Sequence, residues 1–273
     1  MIHRPKVLFC DIDRTLLTHG HVLLPEVAQA IKRLSSSRLC VILASARSPV
    51  GVMGIQHALE LKGRAVCFNG AWIGNPGTQT TSRNVSLSVL EAHGVARCAI
   101  DAGLPVMWYG SSAVYAPEAF AETARKQAAV TGDDLVLVAS LDQVSEAPFK
   151  LMVVTPPETV LTSLSLLVAR CGDVASIVAS GPGLIEVVRK DVSKAAAITW
   201  LAAELGVAGE DCAAVGDGEN DLEMLRWVGL PLTVSNGVTE AQELARFTGG
   251  HCDSGGLVEV VDWLLALPES EPQ

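Results

Sequence analysis

The stretch KVLFCDIDRTLL, residues 6–17, decides the fold class predicted for this chain. Its beginning is a short apolar run, typical of a buried strand, and this run ends at Asp11. Two similar runs follow, LCVIL at residues 39–43 and RAVCF at residues 64–68, and a helical pattern precedes each of them. Strands that are apolar throughout and alternate with helices predict a parallel sheet covered on both faces.

The middle of the chain has a different pattern. Over residues 84–188, short apolar runs near turn residues are mixed with two or three helical segments, which favours an antiparallel sheet in an α+β unit. After residue 190 the alternation of strands and helices resumes. The sequence therefore predicts an α/β protein with a doubly wound, Rossmann-like parallel-sheet core (residues 1–82 and 189–273). An α+β cap (residues 83–188) is inserted into this core.

The composition excludes several classes of protein. With 273 residues, of which 49% are hydrophobic and 18% charged, the chain is too apolar to be disordered. Its net charge of −10 argues against nucleic acid or an anionic membrane surface as a partner. No unbroken apolar run reaches the about 20 residues of a membrane span, and Asp11 precedes any signal-peptide core, so we expect a cytoplasmic protein. The seven cysteines, without a CxxC pair, are typical of reduced thiols.

Polar motifs follow the predicted core strands where each strand ends. DIDRT (residues 11–15) follows the first strand, SAR (residues 45–47) follows the second, and GDGEND (residues 216–221) follows a strand near the end of the chain. Lys194 stands at the start of the helix after the insertion. Because ligand sites of open α/β sheets lie at the carboxyl ends of the strands, we expect these four groups to form one site.

The motifs in this order resemble the haloacid dehalogenase (HAD) superfamily of phosphotransferases. The NGA turn at residues 69–71 and the position of the insertion resemble the Cof-type phosphatases of subfamily IIB. The resemblance extends over nearly the whole chain, although the cap matches only in layout. It implies a Mg²⁺-dependent phosphomonoesterase that hydrolyses a small phosphate ester, with sugar phosphates as the leading class, through an aspartyl-phosphate.

The resemblance gives a role to each of four motif residues. Asp11 is the expected nucleophile, which forms the aspartyl-phosphate. Asp13 is the expected general acid for the leaving alcohol and then the base for the attacking water. Ser45 is expected to donate a hydrogen bond to the phosphoryl group, and Lys194 to neutralise one of its oxygens and to hold Asp11.

The resemblance also implies a magnesium site. Mg²⁺ prefers oxygen ligands in an octahedral arrangement. The expected protein ligands are the Asp11 carboxylate, the backbone carbonyl of Asp13 and the Asp217 carboxylate. Asp221 follows Asp217 by four residues and is expected on the same helical face. There Asp221 would hold metal-bound waters or Lys194.

Four further residues are candidates for the same site. Asn220 is expected to assist Asp221, and Asn69 is placed near the site by the NGA turn. Arg47 is expected either to bind the substrate phosphate or to brace its loop. Arg14 stands where the family has Gly and is expected beside the entrance, where it would affect the range of substrates. SAR in place of the family's TGR keeps the hydroxyl group.

Two other functions stay open. A phosphosugar mutase of the phosphomannomutase type would use the same aspartyl-phosphate, and a binding module would hold a phosphate ligand without turnover. Zinc is not expected, because His93 and His251 have no partners at ligand spacing. WY (residues 108–109) and FK (residues 149–150) are interpreted as cap packing and a strand-end charge in preference to the alternative, a substrate cage. NG (residues 236–237) is interpreted as a turn.

Overall fold

The strands of the structure, a computed structural model that describes residues 3–37, 39–111 and 113–269, form three sheets within those ranges. The strands are β1 (Val7–Cys10), β2 (Cys40–Leu43), β3 (Ala65–Cys67), β4 (Trp72–Asn75), β5 (Thr80–Asn84), β6 (Val106–Tyr109), β7 (Val114–Pro117), β8 (Leu135–Val138), β9 (Lys150–Val154), β10 (Ala175–Gly181), β11 (Leu184–Arg189), β12 (Cys212–Val215), β13 (Leu230–Val234) and β14 (Phe247–Gly249).

Helices cover these sheets. The α-helices are α1 (Pro25–Ser36), α2 (Pro49–Ala58), α3 (Val89–Asp101), α4 (Ala121–Thr131), α5 (Val160–Cys171), α6 (Lys194–Glu204), α7 (Leu222–Trp227), α8 (Thr239–Leu244) and α9 (Leu257–Ala266). None of the helices in the described ranges combines the length and the apolar composition that crossing a bilayer requires.

The central sheet has the order β14-β13-β12-β1-β2, and each neighbouring pair is parallel. In the register of this sheet, Cys10 pairs with both Val215 and Leu43. The loops that follow β1, β12 and β2 therefore begin side by side at one edge. The expected α/β class with a parallel sheet is confirmed.

Burial on both faces explains why the core strands are apolar throughout. Along β1, Val7 and Phe9 pack with residues of α6 and α7, whereas Leu8 and Cys10 pack with residues of α1 and α9. Successive side chains of a strand point to opposite faces, so a sheet between two helical layers requires apolar residues at every position.

A six-stranded sheet of order β10-β11-β9-β6-β7-β8 forms the second part of the molecule. On one face, Leu151 and Val153 pack with α3 and α5, while the alternate residues Lys150 and Met152 line a cavity on the other face. The expectation of an antiparallel sheet is correct for most pairs but wrong for β7 and β8, which are parallel. The helix α4 between them provides the long crossover that a parallel pair needs.

Three details differ from the sequence-based expectations. The third predicted strand, β3, joins β2 only through the bridge between Ala44 and Val66 and belongs to an antiparallel sheet of order β3-β4-β5. The strands β4, β5 and β14 were not predicted. Of these, β14 is only three residues long, and β5 (TTSRN) contains no apolar run. The division into core and cap stays a prediction, and its boundaries at 82/83 and 188/189 fall within β5 and β11.

The turn after β3 packs tightly against the start of α6. Gly70 in this turn has a φ of +105°, and a Cβ added there would lie 2.5 Å from the carbonyl oxygen of Ser193 and 2.9 Å from the Cβ of Ala197. Only glycine fits this contact, which fixes the end of α6 that carries Lys194.

We expect Gly70→Ala to lower the free energy of unfolding by roughly 2–4 kcal/mol, because backbone strain and steric overlap both act. Gly63→Ala is the matched control: Gly63 has a φ of +101° but no atom within 4 Å of an added Cβ, so it tests the strain alone. Urea unfolding of both variants measures the difference. Equal losses would refute the steric contribution.

Candidate active site

A buried lysine connects two aspartates at the carboxyl edge of the central sheet. Lys194, the first residue of α6, donates from Nζ to Oδ1 of Asp11 at 2.6 Å and to Oδ1 of Asp221 at 2.6 Å. Asp11 follows β1 directly, and its N–H donates to the carbonyl of Val215 at the end of β12. Lys194 and Asp221 are each 1% exposed, so the bridge is shielded from solvent.

Asp221 also fixes the loop that carries Asp217. Its Oδ2 accepts from the backbone N–H groups of Asp217 at 3.1 Å and Gly218 at 3.0 Å. Asp217 precedes the helical turn, so the expectation that both aspartates share one helical face is wrong. A carboxylate that folds back onto its own loop, rather than i,i+4 spacing on a helix, brings Asp221 to Lys194.

Asp217 lies close to Asp11 but has different partners. Thr15 donates from Oγ1 to Oδ1 of Asp217 at 3.2 Å, and Nε of Arg14 lies 3.4 Å from Oδ2. Arg14 also lines the cavity, and its guanidinium contacts a candidate metal ligand. Its φ of +62° is in the left-handed region, which explains why glycine suits this position.

Asp13 is held by a cationic partner. Arg47 donates to both of its oxygens, from Nε at 2.8 Å and from Nη2 at 2.6 Å, and Nδ1 of His21 lies 2.8 Å from Oδ1. Burial alone would raise the pKa of Asp13, but the hydrogen bonds from Arg47 and His21 hold it well below its usual range. The side chain of Arg47 therefore joins the loop after β2 to the loop after β1, and its two expected roles stay predictions.

The remaining candidates connect neighbouring loops. Oγ of Ser45 accepts from the N–H of Arg47 at 3.1 Å, and the carbonyl of Ser45 accepts from the N–H of Asn69 at 3.0 Å. Asn220 donates from Nδ2 to Oδ1 of Asn69 at 3.0 Å. Ser45 and Asn220 line the same cavity as Lys150 and Met152. Asn69 lies beside this cavity and lines a second, smaller cavity.

The buried charges of this site do not cancel. Asp11, Asp217 and Asp221 have carboxylate oxygens within 4.8 Å of one another, and Lys194 and Arg14 are the cations in contact with them. Burial, followed by the charge of Asp221, raises the pKa of Asp11 well above its usual value. Burial alone would lower the pKa of Lys194, but the two carboxylates that it touches raise it, so the lysine is charged.

The donor set fits one divalent cation between Asp11 and Asp217. Both oxygens of Asp221 are occupied by Lys194 and backbone N–H groups, whereas Oδ2 of Asp11 has no hydrogen-bond partner among the described residues. Three carboxylates against two cations leave one formal negative charge. A divalent cation would make the site positive, which suits an anionic substrate, and the all-oxygen donors suit Mg²⁺.

The roof of the site was missed by the sequence analysis. Lys150, interpreted there as a strand-end charge, is 4% exposed and donates to the Ala46 carbonyl at 2.9 Å and to Glu186 at 3.0 Å. Its Nζ lies 4.4 Å from the centre of the Tyr109 ring. These side chains line a cavity of about 390 Å³ that opens onto Asp11. The sequence signal that could have indicated this role is the single lysine within the apolar run FKLMVV, residues 149–154.

The NG turn at residues 236–237 is also more than a turn. Asn236 donates from Nδ2 to the carbonyl of Arg14 at 2.8 Å, and its Oδ1 accepts from the N–H of Cys252 at 2.9 Å. It therefore fixes the backbone beside the acidic cluster. Short-range turn chemistry gave no indication of contacts so distant in the chain.

A parallel sheet with a buried Asp–Lys–Asp cluster at its carboxyl edge, beneath an α+β unit, is the arrangement of the HAD fold. A family model described as haloacid dehalogenase-like hydrolase matches residues 8–261. The chain therefore belongs to the haloacid dehalogenase-like hydrolases.

Three proteins illustrate what this chain is similar to, one by sequence and two by fold. A putative phosphatase of Haemophilus influenzae is 27% identical over 260 residues, which cover 94% of this chain and 97% of that protein. A solved haloacid dehalogenase-like hydrolase of Bacteroides thetaiotaomicron has a TM-score of 0.84 at 20% identity, over 95% of this chain and 99% of that one. The structure of the HAD subclass IIB sugar phosphatase BT4131 has a TM-score of 0.81 at 17% identity, over 94% and 98% of the two chains.

We expect the affinity of this site for Mg²⁺ to fall as the pH decreases through about 6. Burial, partly opposed by Arg14, raises the pKa of Asp217 to about 6, and a protonated carboxyl group does not bind the metal. Below that pH, the apparent Kd should rise roughly tenfold for each pH unit. Calorimetric titration with Mg²⁺ over a series of pH values measures this, and a pH-independent Kd would contradict it.

The same shift has the opposite sign for the stability of the metal-free protein. The pKa of Asp217 is higher in the folded state than in the unfolded state. Its contribution to the free energy of unfolding is therefore fully present at low pH and is lost as the pH rises through about 6. Asp217→Asn should therefore raise the free energy of unfolding in EDTA, above this pH, by roughly 1–3 kcal/mol. Asp211→Asn, a surface change at the opposite end of β12, is the control and should not raise it.

Proposed function

We propose that the protein is a Mg²⁺-dependent phosphatase that hydrolyses a small phosphorylated metabolite through an aspartyl-phosphate on Asp11. The observation that carries this proposal is the buried acidic cluster, in which Lys194 binds Asp11 and Asp221 and from which Asp11 and Asp217 face the cavity. Membership of a hydrolase family and the similarity to putative phosphatases support the same conclusion.

Asp11 is proposed as the nucleophile because one of its oxygens is held and the other is left for attack. Lys194 binds Oδ1, which orients the carboxylate and favours its ionised form despite burial. Oδ1 keeps a second lone pair that would bind Mg²⁺, so Oδ2 would attack the phosphorus, and the bond from phosphorus to the ester oxygen would break. This divides the hydrolysis into two easier steps.

Charge cancellation is the main requirement of phosphoryl transfer. Asp11, Asp217 and the carbonyl of Asp13 would hold Mg²⁺, which when bound supplies positive charge that offsets the phosphoryl oxygens. Lys194, which is bound to Oδ1 of Asp11, adds a fixed cation. The hydroxyl of Ser45, which lines the cavity, would donate a hydrogen bond to a phosphoryl oxygen.

Asp13 is proposed to move the protons. It would protonate the leaving alcohol and then accept a proton from the water that attacks the aspartyl-phosphate, which releases inorganic phosphate and restores Asp11. In the free protein Arg47 keeps Asp13 ionised. Asp13 can therefore act as an acid only after Arg47 leaves it, and an incoming phosphoryl group offers Arg47 an alternative anion.

A sugar phosphate is the proposed substrate class. The cavity has room for a small metabolite, and its roof combines an aromatic ring, Tyr109, with the polar pair Lys150 and Glu186, a combination that suits a polyhydroxylated leaving group. The structural similarity to a subclass IIB sugar phosphatase supports this class. The cytoplasmic location and the absence of nucleic-acid and membrane partners stay predictions.

The test is a panel of phosphate esters, including sugar phosphates and nucleotides, assayed with Mg²⁺ for release of inorganic phosphate. We expect metal-dependent turnover in the wild type, with the highest kcat/KM for a sugar phosphate. Asp11→Asn should abolish this turnover, because an amide is not a competent nucleophile. Asp211→Asn, on the surface at the opposite end of β12, should retain it.

Other results would overturn the proposal. Conversion of a sugar phosphate into its isomer without phosphate release would identify a mutase. Binding of phosphate esters without any turnover would identify a binding module. Full activity of Asp11→Asn would exclude the aspartyl-phosphate.

We expect Arg14→Gly to strengthen Mg²⁺ binding by about threefold to tenfold, because the partly exposed guanidinium competes with the metal for Asp217. The substitution also relieves the positive φ of Arg14, worth about 1–2 kcal/mol in the Mg²⁺-saturated protein. Calorimetric titration and urea unfolding measure the two effects. Arg14→Lys keeps a cation and is the control; an unchanged Kd in Arg14→Gly would show that Arg14 does not compete.

A further inference from the structure

A second group of metal-binding residue types lies outside the acidic cluster. It consists of His19, His251, Cys252 and Asp253, and we call it the His/Cys cluster. One ligand atom from each of these residues lies within 4.8 Å of the others. The sequence argument against zinc considered only spacing along the chain, whereas the fold brings His19 beside a segment more than 200 positions away.

The distances within the His/Cys cluster resemble the edges of a tetrahedron of ligands. Nδ1 of His19 lies 3.3 Å from Sγ of Cys252 and 3.3 Å from Oδ2 of Asp253. Oδ2 of Asp253 lies 3.7 Å from Nδ1 of His251. Tetrahedral Zn²⁺ with usual bond lengths separates nitrogen and oxygen ligands by about 3.3 Å and sulfur from nitrogen by about 3.6 Å.

Protons satisfy these contacts only in part, even though the thiol of Cys252 also has Oδ1 of Asp253 as an acceptor at 3.7 Å. Nδ1 of His19 carries either one proton or one lone pair, yet it faces both the thiol of Cys252 and the carboxylate of Asp253. At most one of the two contacts is then a strong hydrogen bond. A cation among the three atoms accepts a lone pair from each of them.

Hydrogen bonds from backbone N–H groups to side-chain oxygens hold both segments of the His/Cys cluster in place. The N–H of His19 donates to Oδ1 of Asp253 at 2.7 Å, and the N–H of Cys252 donates to Asn236 at 2.9 Å. The rings of His19 and His251 stack with their centres 5.2 Å apart. Nδ1 of His251 accepts from the N–H of Asp253 at 3.2 Å, so completing the site requires the His251 ring to give up this hydrogen bond or to rotate and present Nε2.

We propose that His19, His251, Cys252 and Asp253 form a Zn²⁺ site, separate from the acidic cluster. The donors are one thiolate, two imidazole nitrogens and one carboxylate, a set that suits zinc, whereas the all-oxygen cluster around Asp11 suits Mg²⁺. When zinc binds, the Cys252 thiol loses its proton to the buffer and the sulfur binds the metal, without a change of oxidation state.

A bound ion at the His/Cys cluster would tie two parts of the core together. His19 belongs to the loop after β1 and lines the substrate cavity, while Cys252 and Asp253 lie in the turn after β14. Zinc is therefore expected to raise the thermal stability of the protein and to hold this part of the cavity wall.

The test titrates Zn²⁺ and Co²⁺ into the reduced protein in the presence of saturating Mg²⁺, which keeps the acidic cluster filled. We expect one Zn²⁺ per chain by calorimetry. Co²⁺ should give the intense visible bands of a tetrahedral ion together with a thiolate-to-metal charge-transfer band. Cys252→Ser should remove the charge-transfer band, and His251→Gln, a change of an exposed side chain, should weaken binding at least tenfold.

Matched controls separate this site from other thiols and imidazoles. Cys40→Ser and His57→Gln change exposed residues on β2 and α2 and should leave zinc binding unchanged. Asp217→Asn should also retain the charge-transfer band, because it alters the other metal site. The proposal is overturned if the wild type shows no charge-transfer band, or if binding is the same in Cys252→Ser and His251→Gln as in the wild type.

Discussion

The bridge from Lys194 to Asp11 and Asp221 is the interaction on which the rest of the site depends. Each of the three groups is buried, and a buried charge without a partner is costly. Removing one member of such an ion pair generally costs about 3–5 kcal/mol, because the remaining charge stays uncompensated. The bridge therefore contributes less to net stability than to position: it fixes α6, the end of β1 and the loop after β12 relative to one another.

The fold supplies the conditions for this bridge. A parallel sheet brings the loops after β1 and β12 to the same edge, and burial of that edge excludes the water that would otherwise solvate the carboxylates. The close contact of Gly70 with Ser193 then fixes the position of the first turn of α6. Lys194, the first residue of this helix, can therefore reach both Asp11 and Asp221. The position of Lys194 beside Asp11 thus depends on packing at a turn that carries no charge.

Local sequence patterns predicted the strands and the motifs that follow them, but they could not predict contacts between residues far apart in the chain. The apolar runs and the residues that follow them identified the strands around Asp11 and Asp217, since burial on both faces leaves a strong pattern. The partner of Arg14 could not be inferred, because its contact with Asp217 joins positions about 200 residues apart. The same holds for Lys150, whose partners Ala46 and Glu186 lie on different elements.

The contact of Lys150 with Ala46 connects the roof of the cavity to the loop that carries the candidate phosphate ligands. Ala46 lies between Ser45 and Arg47, so the lysine holds the backbone of this loop by its carbonyl while Glu186 balances its charge. A substrate group that draws Lys150 away would free that carbonyl and thereby alter the position of Arg47 on Asp13. The proposed recognition of the leaving group by Lys150 and the proposed proton transfer at Asp13 would in this way be connected through one short segment of backbone.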